Sequence, residues 1–397
     1  LATVEIENKR KAFLFISYLH GECMRSCFVL CLLSIIGCNQ SEKLEGEDPI
    51  FNAEPGSDDS GSTANEPAGE EPSAEPETDC PDGIICTQTF PFVHSDNTQL
   101  SNRSDFDSYG CASSTDESGP EIVYRFTLPH DGFLALELSD MESGADVDIH
   151  LLSALDSGAC IDRGHWLAGS WLAAGTYWVV ADSWVNSSGT VLSGSYTLRA
   201  GLSEASDLAA TGMREEIAED ALVAFDHAWV GGEIDSFLYA VTDFSLHSSN
   251  PRMWIYDLAM QEVVYNLHVA HGSGSNDPSD SAYASRFSNV PNSYQSSLGM
   301  MRGGESYTGT YGYSMRIDGL ETGYNDNVRS RAIVLHGWEG ARPEYVAQLG
   351  ETSPTLGCPA VDDREVANVV DLLKDGAGLF FWYQDSDWYQ NSEYLGH

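Results

Sequence analysis

Between residues 121 and 200, short runs of alternating apolar and polar side chains recur with turn residues between them, at 121–128, 132–138, 147–152, 175–181 and 194–200. The alternation is plainest in Gly175-Thr176-Tyr177-Trp178-Val179-Val180 and in Gly194-Ser195-Tyr196-Thr197-Leu198. A period of two sends one face of each run to a core and the other to water, which predicts a small β-sandwich over 80–201. The period then lengthens. From 203 to 229, Met213, Ile217, Ala221, Phe225 and Ala228 fall on one stripe, and Gly231-Gly232 ends it, so 202–232 is expected to be a helical connector packed between two folded units. Strand patterns return at 236–246 and 252–271, the second a hairpin turning at 257–261. A glycine- and serine-rich stretch runs from 272 to about 327, followed by the apolar strand 331–337, which ends in His336-Gly337. A last helix is expected over 364–374, with Val366, Val369, Val370 and Leu373 as its core stripe and Asp362 as its N-cap. The fold class is mainly β with a few short helices.

The N-terminal 79 residues follow none of these patterns. The first methionine is Met24, and residues 1–23 are read as an upstream, non-native extension. Met24-Arg25-Ser26, the apolar run 27–37 and Cys38 have the form of a signal peptide, with an apolar run too short to span a bilayer. Ile35-Ile36-Gly37-Cys38 resembles the lipobox of bacterial lipoproteins. The resemblance implies lipidation of Cys38 and anchoring to a membrane in the periplasm of the bacterial cell envelope, and Asn39 points to the outer membrane. Residues 39–79 hold thirteen Asp and Glu against one Lys. Too few apolar groups are present there to offset chain entropy, so a disordered acidic linker is expected.

Composition narrows the function. A chain of 397 residues suggests two or three domains. With 19 Lys and Arg against 61 Asp and Glu, a formal charge of −42 repels the phosphate backbone, which excludes nucleic acid as a partner. Asp146 and Asp148 share a strand face, but no Asp-x-Asp-x-Asp-Gly loop accompanies them, and they are read as strand-end carboxylates. No metal cluster, phosphate loop or Ser/His/Asp motif stands out, so neither metal nor cofactor is expected.

The cysteines carry more. Cys80, Cys86, Cys111 and Cys160 of an exported domain are most simply two disulfides, with three pairings open. Cys358 is left over, and an unpaired thiol in an oxidising compartment needs a reason to persist. A thiolate nucleophile beside a histidine is such a reason, with His336 twenty-two residues upstream. The bland alternative is a buried cysteine that only packs.

Two resemblances follow from these residues. Gly119-Pro120-Glu121-Ile122-Val123-Tyr124-Arg125-Phe126, Ala145-Asp146-Val147-Asp148-Ile149-His150 and Ala174-Gly175-Thr176-Tyr177 resemble the pre-peptidase C-terminal type of β-sandwich, an accessory module of secreted bacterial proteins. From about Phe244 to Tyr383 the chain resembles the murein L,D-transpeptidase catalytic domain, in the branch ending in Gly-Cys-Pro-Ala, which implies a catalytic domain over 233–397. The matching blocks are Val269-Ala270-His271-Gly272, Arg286-Phe287-Ser288-Asn289-Val290-Pro291, Ser296-Ser297-Leu298-Gly299, Ser314-Met315-Arg316-Ile317-Asp318-Gly319-Leu320, Asn325-Asp326-Asn327, Ile333-Val334-Leu335-His336-Gly337 and Gly357-Cys358-Pro359-Ala360-Val361.

The resemblance implies cysteine acyl transfer on peptidoglycan stem peptides, through a thioester on Cys358 and with His336 as base and then acid, giving 3→3 cross-links. Backbone N–H groups of Gly357 and Cys358 are the candidate oxyanion donors, and Gly337 is expected to let substrate approach the strand end. Leu356 and Ala360 stand where the wider family has His and Arg or Asn. That leaves Thr355, Arg316, Asn289 and Ser297 as candidate substrate contacts. His271 is a second candidate histidine, and Asp318, Asn325 and Asp326 either bind substrate or pin loops. Water in place of the acceptor amine would make an L,D-carboxypeptidase, and a fold kept for affinity alone would make a non-catalytic peptidoglycan-binding lipoprotein.

Overall fold

In the computed structural model, which describes residues 80–396, the alternating runs of the first half pair as strands. The extension 1–23, the leader 24–38 with Cys38 and the linker 39–79 lie outside the described residues. The strands are Ile85–Thr87 (β1), Phe92–Asn97 (β2), Glu121–Leu128 (β3), Gly132–Ser139 (β4), Val147–Leu152 (β5), Cys160–Gly164 (β6), Leu167–Leu172 (β7), Gly175–Ser183 (β8) and Ser195–Ser203 (β9). They form two sheets, β1-β3-β8-β5-β6 and β2-β9-β4-β7, whose facing sides bury Tyr124, Phe126, Leu134, Leu136, Ile149 and Leu198. The alternation seen in the sequence supplies these inward positions. Strand β5 is buried on both faces, because the segment between β2 and β3 folds over its outer side and places Tyr109 beside Leu152 and Val180. The disulfides are Cys80–Cys86 and Cys111–Cys160, and the second ties that segment to β6.

The expected single connector helix is two helices, Ala205–Ala209 (α1) and Glu215–Val230 (α2). Gly212 explains the break, since its φ of 95° is left-handed and cannot continue a right-handed helix. Helix α2 buries Ile217, Ala221, Phe225 and Ala228, the stripe read from the sequence, and Gly231 caps it.

The rest of the chain builds one eight-stranded sheet. Its strands are Leu238–Asp243 (β10), Met253–Asp257 (β11), Glu262–Leu267 (β12), Gly299–Gly309 (β13), Gly312–Gly319 (β14), Val334–Gly337 (β15), Ala360–Val361 (β16) and Gly378–Trp382 (β17), in the order β12-β11-β10-β17-β13-β14-β15-β16. The expected hairpin at 257–261 is present, its turn closed by Asp257 Oδ1 accepting the N–H groups of Ala259 and Met260. The glycine-rich stretch conceals a second hairpin, β13–β14. Its glycines meet a packing demand: a Cβ on Gly303 would lie 1.9 Å from the Leu373 carbonyl oxygen. Leu373 ends a helix, Val366–Leu373 (α4), that follows the shorter Pro343–Leu349 (α3). Asp362 does not cap α4 as expected. It accepts the Arg364 N–H at 2.9 Å and heads a turn, and the helix proper starts at Val366. A short helix, Ser386–Asn391 (α5), closes the described chain.

The sandwich and the large sheet meet on α2 in one apolar core. Phe133 of β4 sits edge-on to Phe225 with centroids 5.1 Å apart, and Trp229 stacks on Phe237 at 4.7 Å while its indole N–H donates to the Gly169 carbonyl. Removing a fully buried phenyl ring leaves a cavity as well as losing transfer energy, so Phe225→Ala is expected to cost about 3–5 kcal/mol. Urea unfolding followed by tryptophan fluorescence measures this, and a loss under about 1 kcal/mol would mean that the junction is not part of the stabilising core.

Candidate active site

The site is built on the edge of the large sheet, where β14, β15 and β16 run side by side. In the ladder, Ser314 pairs with His336 and Arg316 with Val334, while His336 pairs in parallel with Ala360. Residues two apart on a strand share a face, so Val334 and His336 point one way and Leu335 points into the core. Cys358 lies two residues before Ala360, just outside β16, and its thiol meets the Val334 N–H.

His336 is 2% exposed. Its Nδ1–H donates to the Gly337 carbonyl at 2.9 Å, which fixes the neutral tautomer and leaves Nε2 with its lone pair as the proton acceptor. The exposed ring of Tyr311, at the β13–β14 turn, stacks on the imidazole with centroids 4.3 Å apart. Burial pushes the His336 pKa below its ordinary 6.5, partly opposed by the hydrogen bond to Gly337. Gly337 itself faces the protein: a Cβ there would lie 2.8 Å from the Asp363 Cα and 2.9 Å from Val366 Cγ1. Its bareness therefore lets the strand end close on the segment leading into α4, and serves substrate only through its carbonyl's hold on His336.

Cys358 is the free cysteine among the described residues and is half-buried. Burial pushes its thiol above the usual 9, while the Val334 N–H and the Arg331 guanidinium pull in the opposite direction. The thiol also points at the Ala332 carbonyl, 3.8 Å away. β16 and the Asp362 turn stand between Cys358 and α4, so the groups that favour a thiolate are Arg331 and the Val334 N–H and not the helix N-terminus.

The approach to Cys358 is a tight turn. Thr355 Oγ1 donates to the Cys358 carbonyl at 2.7 Å and accepts the Gly357 N–H at 3.2 Å, so this candidate substrate contact is spent on holding the turn. The same bond occupies the Gly357 N–H, which removes it from the pair of candidate oxyanion donors. The Cys358 N–H has no bonded partner among the described residues and keeps that role. Gly357 adopts a φ of 118°, and a Cβ on it would lie 2.8 Å from the Gln295 carbonyl. Ser296 Oγ bridges the Gly272 N–H and the Gly357 carbonyl, tying the turn to the loop before β13.

Arg331 was not singled out by sequence reasoning. Its guanidinium donates to the carbonyls of Ser288 and Gln295 and to the hydroxyls of Ser297 (2.7 Å) and Ser293 (3.2 Å). None of these partners carries a negative charge, and the sulfur of Cys358 is the group that holds the Arg331 charge up against desolvation. A signal was present in the sequence: a single charge heads a strand that is otherwise apolar.

The other sequence candidates are engaged in structure. Ser297 accepts Arg331 and donates to Ser288. Asn289 is bonded to Asp326 and Asn327, joining two loops. Arg316 pairs with Glu305 at 3.0 Å and lies over the Tyr307 ring at 4.6 Å, on the face that carries His336. His271 has both nitrogens in use, with Arg252 at 2.7 Å and Asn276 at 3.1 Å, and burial drives its pKa down to about 3. Asn325 is fully buried and bonds the carbonyls of Leu298 and Met300, while Asp318 pairs with Arg329.

The family model of the L,D-transpeptidase catalytic domain matches residues 209–382, a segment that takes in α2 and the site. No curated protein matches the chain. Among solved structures, the chain is similar to the pre-peptidase C-terminal domain of a collagenase from Bacillus anthracis, at 12% identity, with 31% of this chain and 99% of that one covered and a TM-score of 0.21. It is also similar to an L,D-transpeptidase from Mycobacterium smegmatis, at 9% identity, 62% and 82% coverage and a TM-score of 0.24. A third, the Ldtfm-avibactam carbamoyl enzyme, shares 17% identity over 38% of this chain and half of that one, with a TM-score of 0.22.

An opposite charge near a thiol lowers its pKa by roughly one unit or more. Arg331→Gln is therefore expected to slow alkylation of Cys358 by iodoacetamide at pH 7.5 on the order of tenfold and to move the alkylation profile to higher pH. An unchanged profile would remove Arg331 from the site's electrostatics.

Proposed function

We propose that residues 209–382, which the family model of the L,D-transpeptidase catalytic domain matches, act on peptidoglycan, with Cys358 as the acyl-accepting nucleophile and His336 as the general base. The observation that carries this reading is the strand register. It sets His336 beside Ala360, two residues after the free thiol of Cys358, with Nδ1 committed to Gly337 and Nε2 left to take a proton.

His336 Nε2 accepts the thiol proton as the sulfur attacks the carbonyl carbon of the L-centre in a stem peptide. The carbonyl π electrons move to oxygen, where the Cys358 N–H donates to the oxyanion. Collapse expels the D-Ala amine, which takes the proton from His336 and leaves a thioester on Cys358. The amine of a second stem then attacks, His336 again carries the proton, and a 3→3 cross-link forms with the thiol restored. If water takes the amine's place, the same steps give an L,D-carboxypeptidase. The sequence adds the setting: a lipoprotein held at the periplasmic face of a membrane through Cys38. A wall-binding lipoprotein without activity is disfavoured by the fixed tautomer of His336, for which affinity alone has no use.

Incubation with purified disaccharide tetrapeptides and intact-mass analysis test the proposal. Wild type is expected to show a stem-sized adduct or cross-linked dimers, Cys358→Ala neither, and the ratio of dimer to tripeptide separates amine from water as acceptor. A folded wild-type protein that gives neither product and whose Cys358 ignores a carbapenem would overturn it. The pH dependence follows from the two depressed and raised groups. The resting pair is neutral thiol and neutral imidazole, so acylation is expected to fall as pH drops through the lowered His336 pKa and to stay level between about 6.5 and 9. Acylation that instead climbs in step with alkylation up to pH 9 would mean that free thiolate attacks without His336.

A further inference from the structure

The segment that crosses the outer face of β5 covers a polar chamber in the sandwich. Tyr109 forms its roof, stacked on the His150 ring with centroids 3.6 Å apart, and the Cys111–Cys160 disulfide lies beside it. Glu117, Asp148 and His150 are each fully buried, and one donor atom from each lies within 4.8 Å of the others. Both oxygens of Glu117 and both ring nitrogens of His150 have no hydrogen-bond partner among the described residues. An orphaned buried polar atom costs about 1–3 kcal/mol, and native proteins meet that cost with water or an ion. His150 Nε2 and Glu117 Oε1 stand 3.8 Å apart. That is too long for a hydrogen bond, and near the roughly 3.4 Å between two ligands of one tetrahedral ion held at about 2.0–2.1 Å.

We infer that Glu117, Asp148 and His150 form a structural site for a divalent ion of the zinc type, which staples the 98–120 segment to β5. The donor set selects the ion. Calcium takes oxygen ligands, whereas an imidazole beside two carboxylates suits zinc. Two buried carboxylates brought this close together share either a proton or a cation between them.

The surrounding charges leave room for it. Asp182 pairs with Asp148 across β5 and β8 and accepts the Tyr109 hydroxyl at 2.6 Å, adding a third buried carboxylate. Against these stand Arg163, bonded to Asp148 Oδ2 and 3.6 Å from Glu117 Oε1, and His165, 2.5 Å from Asp148 Oδ1 and 3.5 Å from Asp146. Arg163 is 21% exposed and His165 57%, so both can withdraw toward water when an ion enters.

Zinc alone is the probe. The full chain, free of any affinity tag, with its disulfides oxidised and carrying Cys358→Ala to remove the other site, is stripped with EDTA and titrated with Zn²⁺ by calorimetry. About one equivalent is expected to bind, and the melting temperature to rise with zinc concentration. Glu117→Gln and His150→Gln are each expected to weaken binding at least tenfold, and Arg163→Gln to tighten it by removing a competing cation. A melting temperature identical in zinc and in EDTA would overturn the site and leave a shared proton or water in the chamber. Binding that persists unchanged in both ligand variants would overturn it equally, by placing the ion elsewhere. Should a variant not fold, the wild-type titration and melting decide alone.

Discussion

The candidate active edge of this protein depends on a half-buried guanidinium that has no carboxylate to pair with. Arg331 stands three residues before the strand bearing His336, and its two terminal nitrogens donate to carbonyls and hydroxyls of the 288–297 loop. Those bonds fold the loop against the strand, and the Gln295 carbonyl that Arg331 holds is the same atom that leaves no space for a Cβ on Gly357. The turn before Cys358 is thus shaped by a cation that also faces its sulfur. A carboxylate at any of these positions would neutralise Arg331 and remove the field from the thiol.

The polar groups around the site divide into those that hold and those that remain open. Thr355, Ser296, Ser297, Asn289 and Asn325 all spend hydrogen bonds on the backbone or on neighbouring side chains such as Asp326 and Arg331. Nε2 of His336 and the Cys358 N–H are left over, and the Cys358 thiol has only the long contact to the Ala332 carbonyl and the Val334 N–H. A buried framework of satisfied hydrogen bonds is rigid, and rigid placement of a few unsatisfied groups is what acyl transfer requires.

Much of this was legible in the sequence, and the exceptions have physical causes. The sandwich strands, the α2 stripe, the 257–261 hairpin and the core stripe of α4 follow from side-chain periodicity, which burial imposes directly. The β13–β14 hairpin was not visible because its glycines answer to backbone approach, as at Gly303 against Leu373, and such approach leaves no periodic trace. The pair His336 and Cys358 could be named from redox reasoning and family resemblance. Arg331 was visible only as a lone charge ahead of an apolar strand, since its partners lie on loops distant in sequence. Thr355, Ser297 and Asn289 were assigned to substrate because a polar residue reads the same whether it faces a ligand or a carbonyl. Gly337 was assigned for a like reason, as sequence does not say which side a missing side chain leaves open.

The shared core on α2 bears on how the molecule works at a distance. Phe133 of the sandwich and Phe225, Trp229 and Phe237 beyond it interlock as rings, and Gly201 brings the sandwich backbone against that of Leu258 with no side chain between. Close-packed contacts of this kind do not slide or flex without opening voids. The two bodies therefore act as a fixed ruler: whatever rests on the outer surface of the sandwich is held at a constant offset and orientation from Cys358.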